Sequence, residues 1–190
     1  MAREDFIDIP EPAVARFLFG STRFGWAWFA LRLYVGWEWI TAGWEKLASP
    51  AWTGPQAGSA LRGFLSGALA KAGGAHPDVS AWYGAFLSHV ALPHAVLFSY
   101  VVTWGELLVG AGLMVGAFTG IAAFAGAFMN LNYLFAGTVS VNPLLFLIEL
   151  FLILAWRTAG WWGIDRWLLP ALGVPWRPGK VFTRGASASS

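Results

Sequence analysis

The chain has 190 residues, 57% of them hydrophobic and only 12% charged, where a soluble domain carries about 25% charged residues. With a mean hydropathy of +0.59, this composition predicts an integral membrane protein whose length one bundle uses up. A net charge of +2 without dense basic clusters argues against a nucleic-acid partner. The lack of cysteine excludes disulfides, thiolate zinc sites, cysteine-ligated iron–sulfur clusters and a cysteine nucleophile.

Taken in order, residues 1–23 read as a polar tail. Pro10 and Pro12 discourage helix there, and Val14 to Phe19 make a short amphipathic surface piece. A first span runs from about Phe24 to Lys46, too long for a signal-peptide core and so expected to be retained. Arg32 is expected to snorkel to the near interface. Trp26 and Trp28 suit one headgroup belt and Trp44 the other.

Residues 47–93 are too long for a plain loop. Ser59 is expected to cap a helix with Leu61, Phe64, Leu65, Ala68 and Leu69 on one face, and Gly73-Gly74 stops it. Asp78 is expected to cap a second helix, with Val79, Trp82, Tyr83, Phe86, Leu87 and Val90 on one face and Pro93 at its end. Neither is long enough to span, so both are expected to lie in the interface or cover the mouth of the bundle.

The second span covers about Ala95–Val115 and the third about Thr119–Gly137. Between them lies a tight hairpin, with Gly112, Gly116 and Gly120 spaced for close helix approach. After a polar link, Thr138–Asn142, Pro143 suits the first turn of a fourth span reaching about Ala159. Trp156, Trp161, Trp162 and Trp167 form an aromatic belt, and residues 170–190 are a Pro/Gly-broken basic tail with an Ala/Ser-rich end.

The predicted fold is therefore all-α: an integral membrane four-helix bundle with amphipathic helices in the first outer loop. The membrane domain is 24–169, its helical cap is about 47–93, and tails 1–23 and 170–190 flank it. Four spans put both termini on one side. The concentration of Arg and Lys with the termini makes that side the cytoplasm.

Polar residues inside spans carry the functional signal, since a mid-membrane charge costs roughly 2.5–3.5 kcal/mol even on the lenient insertion scale. Counting at about 1.5 Å per residue puts Glu38 about 12 Å, Asn130 and Glu149 roughly 10 Å, and Glu106 about 16 Å below the outer end. Glu38, Glu106 and Glu149 are the candidate catalytic groups. Trp37, Trp39, Trp104, Asn130, Asn132 and Tyr133 are the candidate pocket residues, with Phe135 as a further aromatic wall. Asn130 and Asn132 also suit simple interhelical hydrogen bonding. Glu38, Thr41 and Glu45 share a face leading to the outer loop. His76, His89 and His94 lie outside the deep spans, so neither haem nor a metal site is expected.

Several segments resemble the DoxX/DoxD family of small four-span membrane proteins. These are LRLYVGWEWITAGWEKL (Leu31–Leu47), WGELLVGAGLMVGAFTG (Trp104–Gly120), MNLNYLFAG with the later Asn142-Pro143, and GWWGIDRW (Gly160–Trp167). The resemblance covers about residues 24–167. It implies a prokaryotic plasma-membrane subunit of thiosulfate:quinone oxidoreductase, which joins two thiosulfates as tetrathionate and passes the electrons to quinone as acceptor. No DoxA-like portion follows residue 170, so the resemblance implies a separate DoxA-like partner subunit or a larger membrane complex, within membrane lipid. Two other classes remain open: a non-catalytic accessory subunit of a respiratory or photosynthetic complex, and a small proton or organic-anion carrier.

Overall fold

The computed structural model describes residues 11–174, and within them the chain is all helical, with no strand. The expectations for residues 1–10 and 175–190, including the basic tail beyond Pro175, lie outside the described residues. Eight α-helices follow in order: α1 (Ala13–Gly20), α2 (Gly25–Ala48), α3 (Ser59–Ala70), α4 (Ala81–Phe86), α5 (Ala95–Val115), α6 (Thr119–Phe135), α7 (Asn142–Leu154) and α8 (Asp165–Ala171). A short 3-10 turn, Thr22–Phe24, leads into α2, and a π-helical turn, Leu87–Ala91, continues α4.

Helices α2, α5, α6 and α7 make the bundle, with α2 packed most extensively on α5 and α6 on α7. The α2–α5 approach is close because glycines meet there. A Cβ at Gly110 would lie 2.7 Å from Ile40 N and 2.9 Å from Gly36 O. The core between the helices holds Trp28, Val35, Trp39, Val109, Leu113, Ala123, Leu145 and Leu152. The outward faces of α5, α6 and α7 are apolar and exposed, Leu108 at 70%, Ile121 at 67% and Phe124 at 64%. A contiguous apolar surface of this kind marks a lipid- or protein-facing wall. Among the described helices, α5 alone is both long and apolar enough by itself to cross a membrane. Helix α2 is longer, at 24 residues, but carries Arg32, Glu38, Glu45 and Lys46. Helices α6 and α7 have 17 and 13 residues, short of the roughly 20 that cover a hydrocarbon core.

The cap has its own small core of Leu61, Leu65, Ala68, Val79, Tyr83, Leu87 and Ala91, closed by Ala136 at the end of α6. Four side chains fasten it to the bundle: Tyr83 donates to the backbone and side-chain oxygens of Asn132, both at 3.0 Å, and Lys71 Nζ donates to Gly137 O at 2.8 Å. Ser99 and Tyr100 of α5 donate to Trp52 O and Thr53 O at 2.6 and 2.7 Å.

The structure corrects three expectations. Asp78 caps no helix, because α4 begins at Ala81 after the extended Ser80. The last bundle helix ends at Leu154 rather than near Ala159, and turns fill the interval to α8. There Trp156 packs over Gly120, where a Cβ would come within 2.6 Å of it. Arg32 does not snorkel: it is fully buried. Its guanidinium donates to Leu113 O, to Met114 O at 3.0 Å and to Trp162 O at 3.3 Å. It thereby satisfies the carbonyls that the last turn of α5 leaves without helical partners.

Asp165 serves the other side of the same hairpin. Its two oxygens accept from the backbone N–H groups of Phe118 and Thr119 at 2.7 and 2.8 Å, the start of α6. The chain reverses through Gly116 and Phe118, both left-handed (φ 67° and 49°). A phenylalanine holds that conformation at a cost, and Asp165 fixes it in place.

Candidate functional site

Helix α2 places Trp39, Ala42 and Lys46 on one stripe, spaced i, i+3, i+7, with Glu38 and Ala42 one turn apart beside it. That stripe faces a cavity of about 340 Å³ at the cap end of the bundle, a size suited to a small ring-shaped ligand. Helix α5 contributes Glu106, α6 contributes Asn130 and Tyr133, and α7 contributes Leu145. From the cap come Trp52, Leu61 and Phe64, from the α6–α7 link Thr138, Ser140 and Val141, and from the start of α7 Asn142. Ser140 has a φ of 41°, strain of the kind that gathers at ligand sites.

Two carboxyl groups organise the polar part. Glu106, 1% exposed, accepts from the Tyr133 hydroxyl at 2.7 Å and pairs with Lys46 Nζ at 2.8 Å. Lys46 also stands 5.1 Å over the Trp52 ring. A buried carboxylate is tolerated when it is paired and hydrogen-bonded, as here. Glu149, fully buried, accepts from Trp39 Nε1 at 2.6 Å and from Asn130 Nδ2 at 2.7 Å. The Trp39 ring stacks on Tyr133 with centroids 6.5 Å apart, and Phe64 meets Tyr133 edge-on. Asn130 Oδ1 is buried and has no hydrogen-bond partner.

Of the candidate residues, Glu38, Glu106, Asn130, Tyr133 and Trp39 come together on this cavity. Glu149 sits behind it, joined to it through Asn130 and Trp39. Trp37 and Trp104 do not wall it. They are 59% and 51% exposed, because each lies two residues from a cavity residue on its own helix, about 200° away around the axis. Asn132 is taken up by the cap, accepting from Tyr83 and donating to Phe128 O at 2.7 Å. Phe135 packs on Trp82 and Tyr83 instead. Glu45 is exposed, and Thr41 donates to the Trp37 and Glu38 carbonyls of its own helix.

Sequence reasoning missed Lys46 and the cap residues Trp52, Leu61 and Phe64 as cavity residues. The signal for Lys46 was its place on the Trp39–Ala42 stripe. Among the described residues, no group of three or more His, Asp or Glu is placed to hold a metal ion.

No curated protein and no solved structure matches the chain. A model of the DoxD family, described as the small subunit DoxD of TQO, thiosulfate:quinone oxidoreductase, matches residues 27–178. That match takes in α2 through α8 and every cavity residue, and the chain belongs to the DoxD family.

Proposed function

We propose that the chain is the quinone-reducing membrane subunit of a thiosulfate:quinone oxidoreductase and that the cavity beneath the cap holds the quinone ring. In this reading α2, α5, α6 and α7 cross a prokaryotic plasma membrane, the cap faces outward and both termini are cytoplasmic. The observation that carries it is the gathering of Glu38, Glu106, Lys46, Tyr133 and Asn130 from three helices around one cavity walled by Trp39, Trp52 and Phe64. A quinone ring stacks on such walls and hydrogen-bonds through its two oxygens.

In the reaction two thiosulfates lose one electron each as the central S–S bond of tetrathionate forms. The quinone gains both electrons and two protons to become the hydroquinone. The Tyr133–Glu106–Lys46 chain lies within hydrogen-bond reach along its length, as proton delivery requires. Glu38, which shares the cavity, is the route by which protons reach it from the cap side. The same lining disfavours the sulfur substrate. A dianion entering would meet Glu38 and Glu106, while the one lysine of the lining is already paired with Glu106. Thiosulfate oxidation therefore belongs to a partner subunit, which also supplies the electron path.

The test is thiosulfate-dependent quinone reduction by purified protein of defined subunit composition. Glu106→Gln keeps the shape and the Tyr133 bond and is expected to lower turnover about a hundredfold in protein that still assembles. Reduced assembly with unchanged turnover per complex would place the chain among accessory subunits instead.

A further inference from the structure

We propose that Asn130 sets which redox form the cavity holds: with its amide oxygen facing the ligand, the site selects a hydroxyl donor, the hydroquinone, over the quinone carbonyl. This inference rests on the quinone reading above and adds the residue that discriminates.

The orientation of the amide follows from its neighbours. Glu149 Oε1 accepts from Trp39 Nε1 at 2.6 Å, and Glu149 Oε2 accepts from Asn130 at 2.7 Å. The structure turns the Asn130 NH2 to Glu149, the orientation that an ionised Glu149, an acceptor only, requires. Its oxygen is then left over. Asn130 is fully buried and belongs to the cavity lining, and Oδ1 has no partner within the protein. A buried acceptor without a donor is costly, so a ligand that brings a donor recovers that cost and one that brings only another acceptor does not. The quinone carries two carbonyl oxygens, both acceptors. The hydroquinone carries two O–H donors. The two carboxyl groups of the lining lean the same way, while Thr138 and Ser140 at its α6–α7 edge can donate or accept. Glu38 and Glu106 are acceptors, and the Tyr133 O–H is already committed to Glu106. Lys46 is the one charged donor of the lining.

Sites that hydrogen-bond a substrate hydroxyl discriminate against its absence because their own polar group is left unpaired. One unmet buried acceptor is worth about tenfold in binding, roughly the centre of the range for such groups. The site is thus biased toward the reduced product, which favours completion of the second electron and proton transfer before release.

The chain also contains its own inversion. In Glu149→Gln the side chain at 149 has one oxygen and one NH2. Trp39 Nε1 can only donate, so it claims the oxygen. The NH2 then faces Asn130, which must rotate and present Oδ1 to it, turning its own NH2 toward the ligand. Shape and volume are conserved, and the unpaired group of the site changes from acceptor to donor. Preference is expected to pass to the quinone.

The experiment is anaerobic equilibrium binding of duroquinone and durohydroquinone to the purified full chain in detergent, for wild type and Glu149→Gln. Wild type is expected to bind the hydroquinone about tenfold more tightly, and the variant to favour the quinone. Equal binding of the two forms by wild type overturns the inference and leaves the quinone reading standing, as does a preference in the folded variant that does not move. If neither form binds wild type, both fall. The wild-type ratio decides by itself if the variant is not recovered folded.

Discussion

Replacing Asp165 by alanine tests how the hairpin between α5 and α6 is held. Asp165 is 2% exposed and accepts two backbone hydrogen bonds, from Phe118 N at 2.7 Å and Thr119 N at 2.8 Å. Both donors belong to the first turn of α6, where no helical carbonyl is in reach. Alanine leaves both without their side-chain partner, Thr119 being fully buried. Each such group costs about 1–3 kcal/mol, so the pair costs about 2–6 kcal/mol. The negative charge at a helix N-terminus is lost as well, about 0.3–1 kcal/mol. Phe118 then has less to keep it at its positive φ, and Arg32 loses its nearby counter-charge. For a chain of this size about 2–4 °C of melting temperature corresponds to 1 kcal/mol, so the variant in detergent is expected to melt roughly 10 °C below wild type. Asp165→Asn keeps one accepting oxygen and should fall between the two. If Asp165→Ala melts within about 2 °C of wild type, or no lower than Asp165→Asn, the carboxylate is not what fixes the turn and the account of the hairpin is wrong.

Two glycine substitutions separate packing from propensity. Gly110→Ala drives a methyl against Ile40 N and Gly36 O and should destabilise by about 1–3 kcal/mol in denaturant unfolding. Gly63→Ala, in α3 with nothing within 4 Å, should stabilise its helix by about 1 kcal/mol; equal effects of the two would contradict the close α2–α5 approach. The cap should loosen in alkali. Burial pushes the Tyr83 hydroxyl up from 10.0 to about 12, so its folded state favours the neutral form. That stability is full below pH 10 and is lost as pH rises through 12, read as faster proteolysis of residues 59–92, and Tyr83→Phe should remove this component. Reporter fusions after Trp167 should read cytoplasmic and fusions near Gly74 external; the reverse result would invert the orientation of the cavity.

How much of this was legible in the sequence depends on the kind of information each feature needs. Helix α3 buries Leu61, Leu65 and Ala68 as its apolar spacing predicts, although its N-cap is the left-handed Gly58 and Ser59, expected as the cap, is its first residue. Local periodicity is enough there, because the face that packs is set by neighbours three and four residues away. The layer of Glu38, Glu106, Asn130 and Tyr133 was also within reach. Depth along a helix follows from the rise per residue, and the cost of polar groups in lipid says they turn inward. Depth carries no azimuth, however. Trp37 and Trp39 flank Glu38 at the same depth and differ by about 200° around the axis, so one is 59% exposed and the other 3%.

The remaining misreadings share a cause of a different kind. Arg32 read locally as a cation placed to reach an interface, the usual fate of a long basic side chain near a helix end, and Lys46 read only as the end of the first span. What settles their position lies elsewhere in the chain. Lys46 is drawn in by Glu106 on α5. Arg32 is drawn in by the carbonyls of Leu113 and Met114, which the last turn of α5 leaves without helical partners, and by that of Trp162. A buried cation is stable only with its partners assembled, so neither position can be read until α5 is packed on α2. That packing in turn depends on Gly36 and Gly110 letting the backbones approach. The two cations mark opposite ends of one helix pair. At one end Arg32 and Asp165 take up backbone carbonyls and N–H groups of the α5–α6 turn. At the other, Lys46 and Glu106 border a space that the protein does not fill. What marks the second end as a ligand site is the gathering of polar groups from three helices around that space, beside an acceptor, Asn130 Oδ1, with nothing to accept.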